Sequence, residues 1–260
     1  MNEHIYTHFH PEEHAFIDQA TDWIERAHKR HTVKRTDFLD PRQQLILQTL
    51  VNRCPEVQLK LDGGYGGAER RRALIAPEYM WLDDEDMGIQ VVAVRSDDAR
   101  FGELDHGDFL GALLGLGIKR EKIGDIHVHE TVAHCLAAGE IAAYIDMNLR
   151  QVHRIRVLTE ILPVDQLLPV TPTLEEMQLT VSSLRLDAVA SDALRLSRTK
   201  IVPVIRAGKC RVNWKKIEDP AQQLETGDIV SVRGFGRFKV LNIEGTTKKG
   251  KIRVVIGKFT

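Results

Sequence analysis

Between Arg185 and Lys216 the chain carries a scatter of cations that no packing pattern uses: Arg185, Arg198, Lys200, Arg206, Lys209, Arg211, Lys215 and Lys216. Guanidinium and ammonium groups spaced in this way are suited to the capture of phosphate oxygens. An arginine grips a phosphate through two parallel hydrogen bonds, and a lysine neutralises it as a point charge. The excess extends over residues 181–260, which hold 17 Lys and Arg against 7 Asp and Glu, a net +10. Residues 1–180 hold 19 against 30, a net −11, so the formal charge of −1 conceals an acidic body and a basic end. A compact basic module on an acidic chain points to a polyanion, above all a nucleic acid. The competing reading is a solvated basic face that only balances the acidic remainder.

Other chemistries find less support. "HFHPEEH" and "HVHETVAHC" crowd potential metal ligands, but neither matches H-E-x-x-H or paired C-x-x-C, so no metal is expected. The glycines of "LDGGYGGAERRR" invite a phosphate-loop reading, yet neither G-x-x-x-x-G-K-[ST] nor a G-x-G-x-x-G opening a helix is present. A tight turn edged by Arg70, Arg71 and Arg72 is expected there, a secondary place for RNA to touch. No G-x-S-x-G and no cysteine in a catalytic context is found, and no cofactor is implied. Cys54, Cys135 and Cys210 are far apart and odd in number, as in the reduced thiols of a cytoplasmic protein. No apolar run is long enough for a bilayer, and "MNEHIYTHFHPEEH" lacks the pattern of a signal peptide, so no membrane partner is expected.

The elements that must position these residues can be placed. In "RLDAVASDALRLSRTKIVPVIRAGKCRVNW", Leu186, Val189, Ala190, Ala193 and Leu194 stripe a first short helix. Ser197 is placed to cap a second, with Ile201, Val204 and Ile205 inward and Gly208 at its end. "KCRVNW" and "GDIVSVRG" read as strands, with Gly227-Asp228 a turn. Upstream, "ILPVDQLLPVTPTLEE" holds Pro163, Pro169 and Pro172 and reads as an extended linker over residues 163–180. Residues 77–162 give β-α-β-β-α-β, with Asp105 as a helix N-cap and Gly117 past its end. That order is the ferredoxin-like split βαβ shared by many RNA-recognition domains. Its central strands, "QVVAVRS" and "TVAHCLA", carry no Phe, Tyr or Trp, so base stacking is not expected of them. By alternation His127, His129 and His134 share a face, while Ile126 and Val128 point to the core. Residues 1–76 open with a helix striped by Phe16, Ile17, Ala20, Trp23, Ile24 and Ala27. A second helix follows from Pro41, then strand, glycine-rich turn and strand.

The basic end resembles the S4 RNA-binding domain, a module of ribosomal factors, tyrosyl-tRNA synthetases and pseudouridine synthases. The likeness rests on Arg185-Leu186-Asp187, Ser197-Arg198, Ala207-Gly208, Val212-Asn213, Gly227-Asp228 and the strand after them, across about residues 181–240. Trp214 stands where the module usually has glycine, and Pro203 falls inside the second helix. From about residue 8 onward, "HFHPEE", "DFLDPRQ", "GGYGGAERRRALIAPEY", "GIKREKIGDI" and "SVRGFGRFKVLNIEGTTKKGKIRV" follow one another in order. This succession resembles the YlmH-like family of bacterial RNA-binding proteins. The resulting expectation is an α+β chain: an N-terminal α/β region, a ferredoxin-like (RRM-like) middle domain, the linker, and a C-terminal S4 domain with a β extension.

The expected RNA-binding set is the eight cations above with Thr199, Arg233 and Arg237; by the resemblance, Arg198 and Arg185 match RNA-contacting arginines of the two S4 helices. The resemblance also implies a non-enzymatic, monomeric factor whose partners are rRNA, tRNA and the large ribosomal subunit. Its task would be rescue or quality control of stalled translation. Two alternatives stand beside it. A pseudouridine synthase would use an Arg-Leu-Asp motif, but the only such run, Arg185-Leu186-Asp187, lies inside the S4 module, where Asp187 is expected to cap or orient the first helix. An adaptor in cell division is the other.

Overall fold

The computed structural model describes residues 6–7, 9–171, 173–247 and 250–259. His8 of "HFHPEEH" and Pro172 of the proline-rich stretch lie outside the described residues. The chain divides into two units, Glu12–Thr171 and one built on Pro172–Thr260. Among the described residues no helix is long and apolar enough to cross a membrane.

The first unit begins with α1 (His14–Arg30), which buries Ile17, Ala20, Trp23, Ile24 and Ala27 along one stripe. β1 (Lys34–Arg35) is a short strand that periodicity did not announce. α2 (Pro41–Val51) starts at a full capping box, with Asp40 and Gln43 exchanging side-chain and main-chain bonds and Pro41 in the first turn. β2 (Val57–Asp62) and β3 (Arg72–Pro77) complete a sheet in the order β1-β3-β2, and every residue of β3 is buried.

The same unit continues through β4 (Ile89–Arg95), α3 (His106–Gly115), β5 (Ile123–Val128), β6 (Val132–Ala138) and α4 (Gly139–Asn148). A small hairpin, β7 (Gln151–Val152) with β8 (Ile155–Arg156), precedes β9 (Leu158–Leu162). The last predicted strand is therefore broken: its start pairs within the hairpin and its end pairs with β4. The sheet order is β5-β6-β4-β9 with all neighbours antiparallel, the split βαβ arrangement. One face, with Val92, Val94 and Cys135, packs on Phe109, Leu113 and Ile145 of the helices. The other face, with Ile89, Val91, Leu136 and Ala138, packs on Phe38, Leu74 and Ala76. The two sheets thus share a core. Gly124 permits the approach, because a Cβ there would lie 2.8 Å from the ring of Phe38 and 3.0 Å from the Cβ of Leu136.

The second unit holds β10 (Leu174–Val181), α5 (Leu186–Ala193), α6 (Arg198–Arg206), β11 (Cys210–Val212), β12 (Lys215–Ile217), β13 (Ile229–Val232), β14 (Gly236–Thr246) and β15 (Ile252–Phe259). Its sheet runs β10-β15-β14-β13-β11-β12. The linker expected over residues 163–180 is corrected here. Residues 174–181 form a strand paired along β15, from Leu174 opposite Phe259 to Val181 opposite Ile252. Leu179 and Val181 point inward and Gln178 and Thr180 outward, a period of two that the neighbouring prolines masked. α5 and α6 cover one face of the sheet, packing Val189, Ile201 and Ile205 on Cys210, Val230 and Phe238. α6 continues through Pro203, whose ring is exposed.

Gly124→Ala should force Phe38 or Leu136 aside. Overpacking of this kind costs about 1–3 kcal/mol. A thermal melt of the full chain should show the first unit destabilised with the second unchanged; an unaltered melt would mean Phe38 has room to give.

Candidate nucleic-acid interface

The N-terminal end of α5 is fixed by the segment ahead of β13. Leu186 N–H donates to the Gln222 carbonyl at 2.8 Å and Asp187 N–H to that of Pro220 at 3.1 Å. Arg185, at the cap, donates Nε and Nη2 to the two oxygens of Asp187 at 3.1 and 3.0 Å. The Asp187 side chain is only 8% exposed against 40% for Arg185, and the guanidinium holds its carboxyl below the usual carboxylate range. Asp187 thus orients Arg185. Arg198, the first residue of α6, is exposed and donates to Ser182 Oγ at 3.3 Å. It adds to the field that depresses Asp187.

Ser197 sits at the cap position of α6, but its hydroxyl bonds Thr199 Oγ1 at 2.8 Å and caps no helix N–H. Thr199 is therefore already engaged by its neighbour. Lys200, Arg206 and Lys209 project into solvent. So does Arg195, in the left-handed turn between the helices at φ 53°. Arg195 was missed in the sequence because the turn that presents it has no strong residue signature.

The remaining cations lie on the sheet. Arg211 pairs across β11 and β12 with Lys216, and the same row continues through Ser231 to Arg237. Their neighbours Cys210, Val212, Val230, Val232 and Phe238 point into the core, so alternation sends this row to the outer face, away from the helices. Arg211 donates to the Trp214 carbonyl at 2.9 Å, and Lys216 pairs with Glu218 at 3.0 Å. Lys215 is half-buried beside it. Arg233 is exposed and adjoins Lys209 through a main-chain bond of 2.9 Å.

The two-residue turn between β11 and β12 has Asn213 at φ 50° and Trp214 at φ 64°. Positive φ at both central residues is the geometry that matches the twist of a hairpin and usually selects glycine. Trp214 is held there by its ring, which lies 4.8 Å from the Arg237 guanidinium, itself 4.4 Å from the ring of Phe259. The predicted RNA-binding residues therefore fall into two groups. One lies on and around the helices, with Arg185 and Arg198 flanking Asp187; the other, Arg211, Lys216 and Arg237, lies on the outer sheet face with Trp214, while Lys215, the register partner of Val212, belongs to the inner row.

Arg70, Arg71 and Arg72 do not form the single basic edge expected of them. Arg72 is 3% exposed and donates to the carbonyls of Thr36 at 2.7 Å and Gly88 at 2.6 Å, with Glu140 at 3.3 Å. Arg71 turns to the Ala68 carbonyl of its own loop at 2.9 Å, and Arg70 turns the other way to the carbonyls of Phe38 and Ile123. The glycine-rich loop is no phosphate cradle either. The amides of Glu69 and Arg70 and the hydroxyl of Tyr65 all donate to the carboxylate of Asp125, at 2.7, 3.1 and 2.9 Å.

The middle sheet offers no open face to RNA bases. Opposite its helices it carries no Phe, Tyr or Trp on β4 or β6, and the first sheet covers much of it. The rest lies under residues 167–170: Leu168 N–H donates to His134 Nδ1 and Val170 N–H to His127 Nδ1, both at 3.1 Å, and His129 Nε2 lies 3.0 Å from the Leu168 carbonyl. The three histidines do share one face, as alternation required. They form no metal cluster among the described residues.

Three family descriptions match the chain: "YlmH, N-terminal" over residues 12–80, "Putative RNA-binding domain in YlmH" over 83–166, and "S4 domain" over 184–230. A Bacillus subtilis (strain 168) protein named "Ribosome-associated protein quality control protein P2" is 42% identical over 250 residues, covering 96% of each chain. The solved structure "Cell division protein ylmH from Streptococcus pneumoniae" is similar at a TM-score of 0.53 and 25% identity, covering 62% of this chain and 97% of that one.

His127 and His134 accept main-chain N–H groups at Nδ1 and so must be neutral there. Burial, aided by the neighbouring His129, pushes both pKa values down, while Asp125 partly opposes this at His127. Unfolded histidines titrate near about 6.5, so on acidification the unfolded chain takes the protons first. Stability of this unit should be full above about pH 6.5 and fall as pH drops through the lower folded values. Hydrogen exchange should show the Leu168 and Val170 amides losing protection in that window, and replacing both histidines by asparagine should flatten the dependence. Protection that is constant from neutral to acid pH would refute the neutral-acceptor assignment.

Proposed function

The chain belongs to the YlmH family, and from that premise we propose that it is a non-enzymatic RNA-binding factor of the large ribosomal subunit. It acts as a monomer in the cytoplasm, binding rRNA or peptidyl-tRNA in the rescue or quality control of stalled translation. The observation that carries this reading is the group on the S4 helices, where exposed Arg198 stands beside Arg185, itself held in orientation by Asp187. A guanidinium fixed by a carboxylate behind it loses less freedom on meeting a phosphate than a mobile one. The name of the Bacillus subtilis relative supports the ribosomal setting.

The enzymatic alternative is disfavoured by the state of its only candidate. A carboxylate that is 8% exposed and bonded twice to Arg185 is poorly placed to attack a base. The name of the Streptococcus pneumoniae structure keeps the division adaptor as a second reading, in which RNA contact is incidental.

Arg198→Ala should leave the fold intact, since the side chain is exposed and its hydrogen bond is to Ser182. It should weaken cosedimentation with purified large subunits and reduce the salt slope by about one, and Arg198→Lys should restore only part. A folded alanine variant that sediments like wild type at every salt concentration would remove Arg198 from the interface. In parallel, Asp187→Asn should change binding or stability without abolishing any modified nucleoside, because none is formed. Pseudouridine present with wild type and absent with this variant would establish the enzymatic reading instead.

A further inference from the structure

The first unit contains two half-buried guanidiniums, those of Arg70 and Arg120, whose side-chain hydrogen bonds all go to main-chain carbonyls. Arg70 Nε and Arg120 Nη1 both donate to one oxygen, the Ile123 carbonyl, at 3.1 and 2.6 Å. Their other bonds also go to main-chain carbonyls, Phe38 for Arg70 and Gly124 for Arg120. Among the described residues no carboxylate pairs with either. Two like charges that share one acceptor repel, and both side chains are half-buried, where water screens that repulsion only in part. Burial, and then the charge of Arg70, pull the Arg120 pKa down to about 10. Asp125, Glu69 and Asp40 partly offset this at Arg120, and Glu121 joins them at Arg70; of these, Asp125 also receives the glycine-rich loop and Asp40 caps α2.

Both arginines line a polar cleft of about 540 Å³ between α1 and the segment ahead of β5. Lys34 also lines it, its ammonium 5.8 Å from the centre of the Trp23 ring, and Asp37, Asp40 and Glu121 line it too, so an anion there must be held by the guanidinium donors against these carboxylates. Lys122, at the far side, is already neutralised by Asp37 and Glu140 at 2.6 and 2.8 Å. Carbonyl oxygens use only some of the five N–H donors of each guanidinium. The rest, with the Lys34 ammonium, suit a tetrahedral oxyanion.

We propose that this cleft binds a phosphate group, gripped by Arg70 and Arg120 and attracted by Lys34. The group could belong to a free nucleotide or to an RNA strand, which present the same oxygens. The site is separate from the S4 helices, so it can stand or fall independently of the proposed ribosomal role.

The test is calorimetric titration of the full chain, at fixed ionic strength, with inorganic phosphate, with AMP, and with a short RNA carrying or lacking a 5′-phosphate. Saturable binding of phosphate is expected. Arg120→Gln should weaken it about tenfold or more, as loss of a charge-assisted fork does. Lys34→Ala, an exposed residue with no part in the core, should weaken it several-fold without altering the melt. AMP binding more tightly than phosphate assigns a nucleotide; RNA binding that depends on the 5′-phosphate and on Lys34 assigns a strand end. Absence of saturable binding by phosphate, AMP and the 5′-phosphate alike overturns the proposal. So does wild-type phosphate affinity in Lys34→Ala or in a folded Arg120→Gln.

Discussion

The first unit is organised around one buried cation. Removing a guanidinium from water costs several kcal/mol unless acceptors meet it with good geometry, and loss of a partner from such a pair costs about 3–5 kcal/mol. Arg72 is met by the carbonyl of Thr36, the carbonyl of Gly88 and the carboxylate of Glu140. These acceptors come from the segment before Phe38, the approach to β4 and the first turn of α4, so satisfying one charge fixes three parts of the chain. Gly88 adopts φ 61°, and a Cβ there would press within 2.7 Å of Arg35 Nη1. Burial alone would raise the Glu140 carboxyl, but the Lys122 and Arg72 cations hold it down to about 2.

Cations in this protein therefore do two different jobs, and sequence does not separate them. Arg71 and Arg72 satisfy main-chain carbonyls and bring loops together, whereas Arg198, Lys200 and Arg206 are left to solvent on a helix whose opposite side carries the core. Arg237 lies between these extremes, its guanidinium close to the rings of both Trp214 and Phe259. The difference is made by packing: an arginine beside an under-bonded carbonyl is recruited inward, and one on a short amphipathic helix is not.

What could be read in advance follows the range of the forces involved. The helical stripe from Ile17 to Ala27, the cap at Asp105, the two S4 helices and the βαββαβ order depend on periods and local chemistry, and all are in the structure. β10 was hidden because its partners in β15 lie far along the chain, from Val181 opposite Ile252 to Leu174 opposite Phe259, and prolines precede it. The three arginines from Arg70 to Arg72 share no edge because each is drawn to a different set of main-chain carbonyls, and burial of a charge is a tertiary event. Trp214 looked like a departure from the hairpin pattern. The structure keeps the turn and accounts for the residue by a contact whose other member, Arg237, no local rule could supply.

The shared core of the two sheets has a consequence for how the first unit can come apart. Phe38, Leu74 and Ala76 have as their counterpart Ile89, Val91 and Leu136, so each sheet is the other's solvent shield. Separating them would bare two apolar faces at once, which makes partial opening expensive relative to complete unfolding. The segments matched by two different family descriptions are then one cooperative body, and a protease should find its first cut in the stretch near Thr171, where the units divide, in preference to the boundary between those segments. Lineage can separate what thermodynamics has joined.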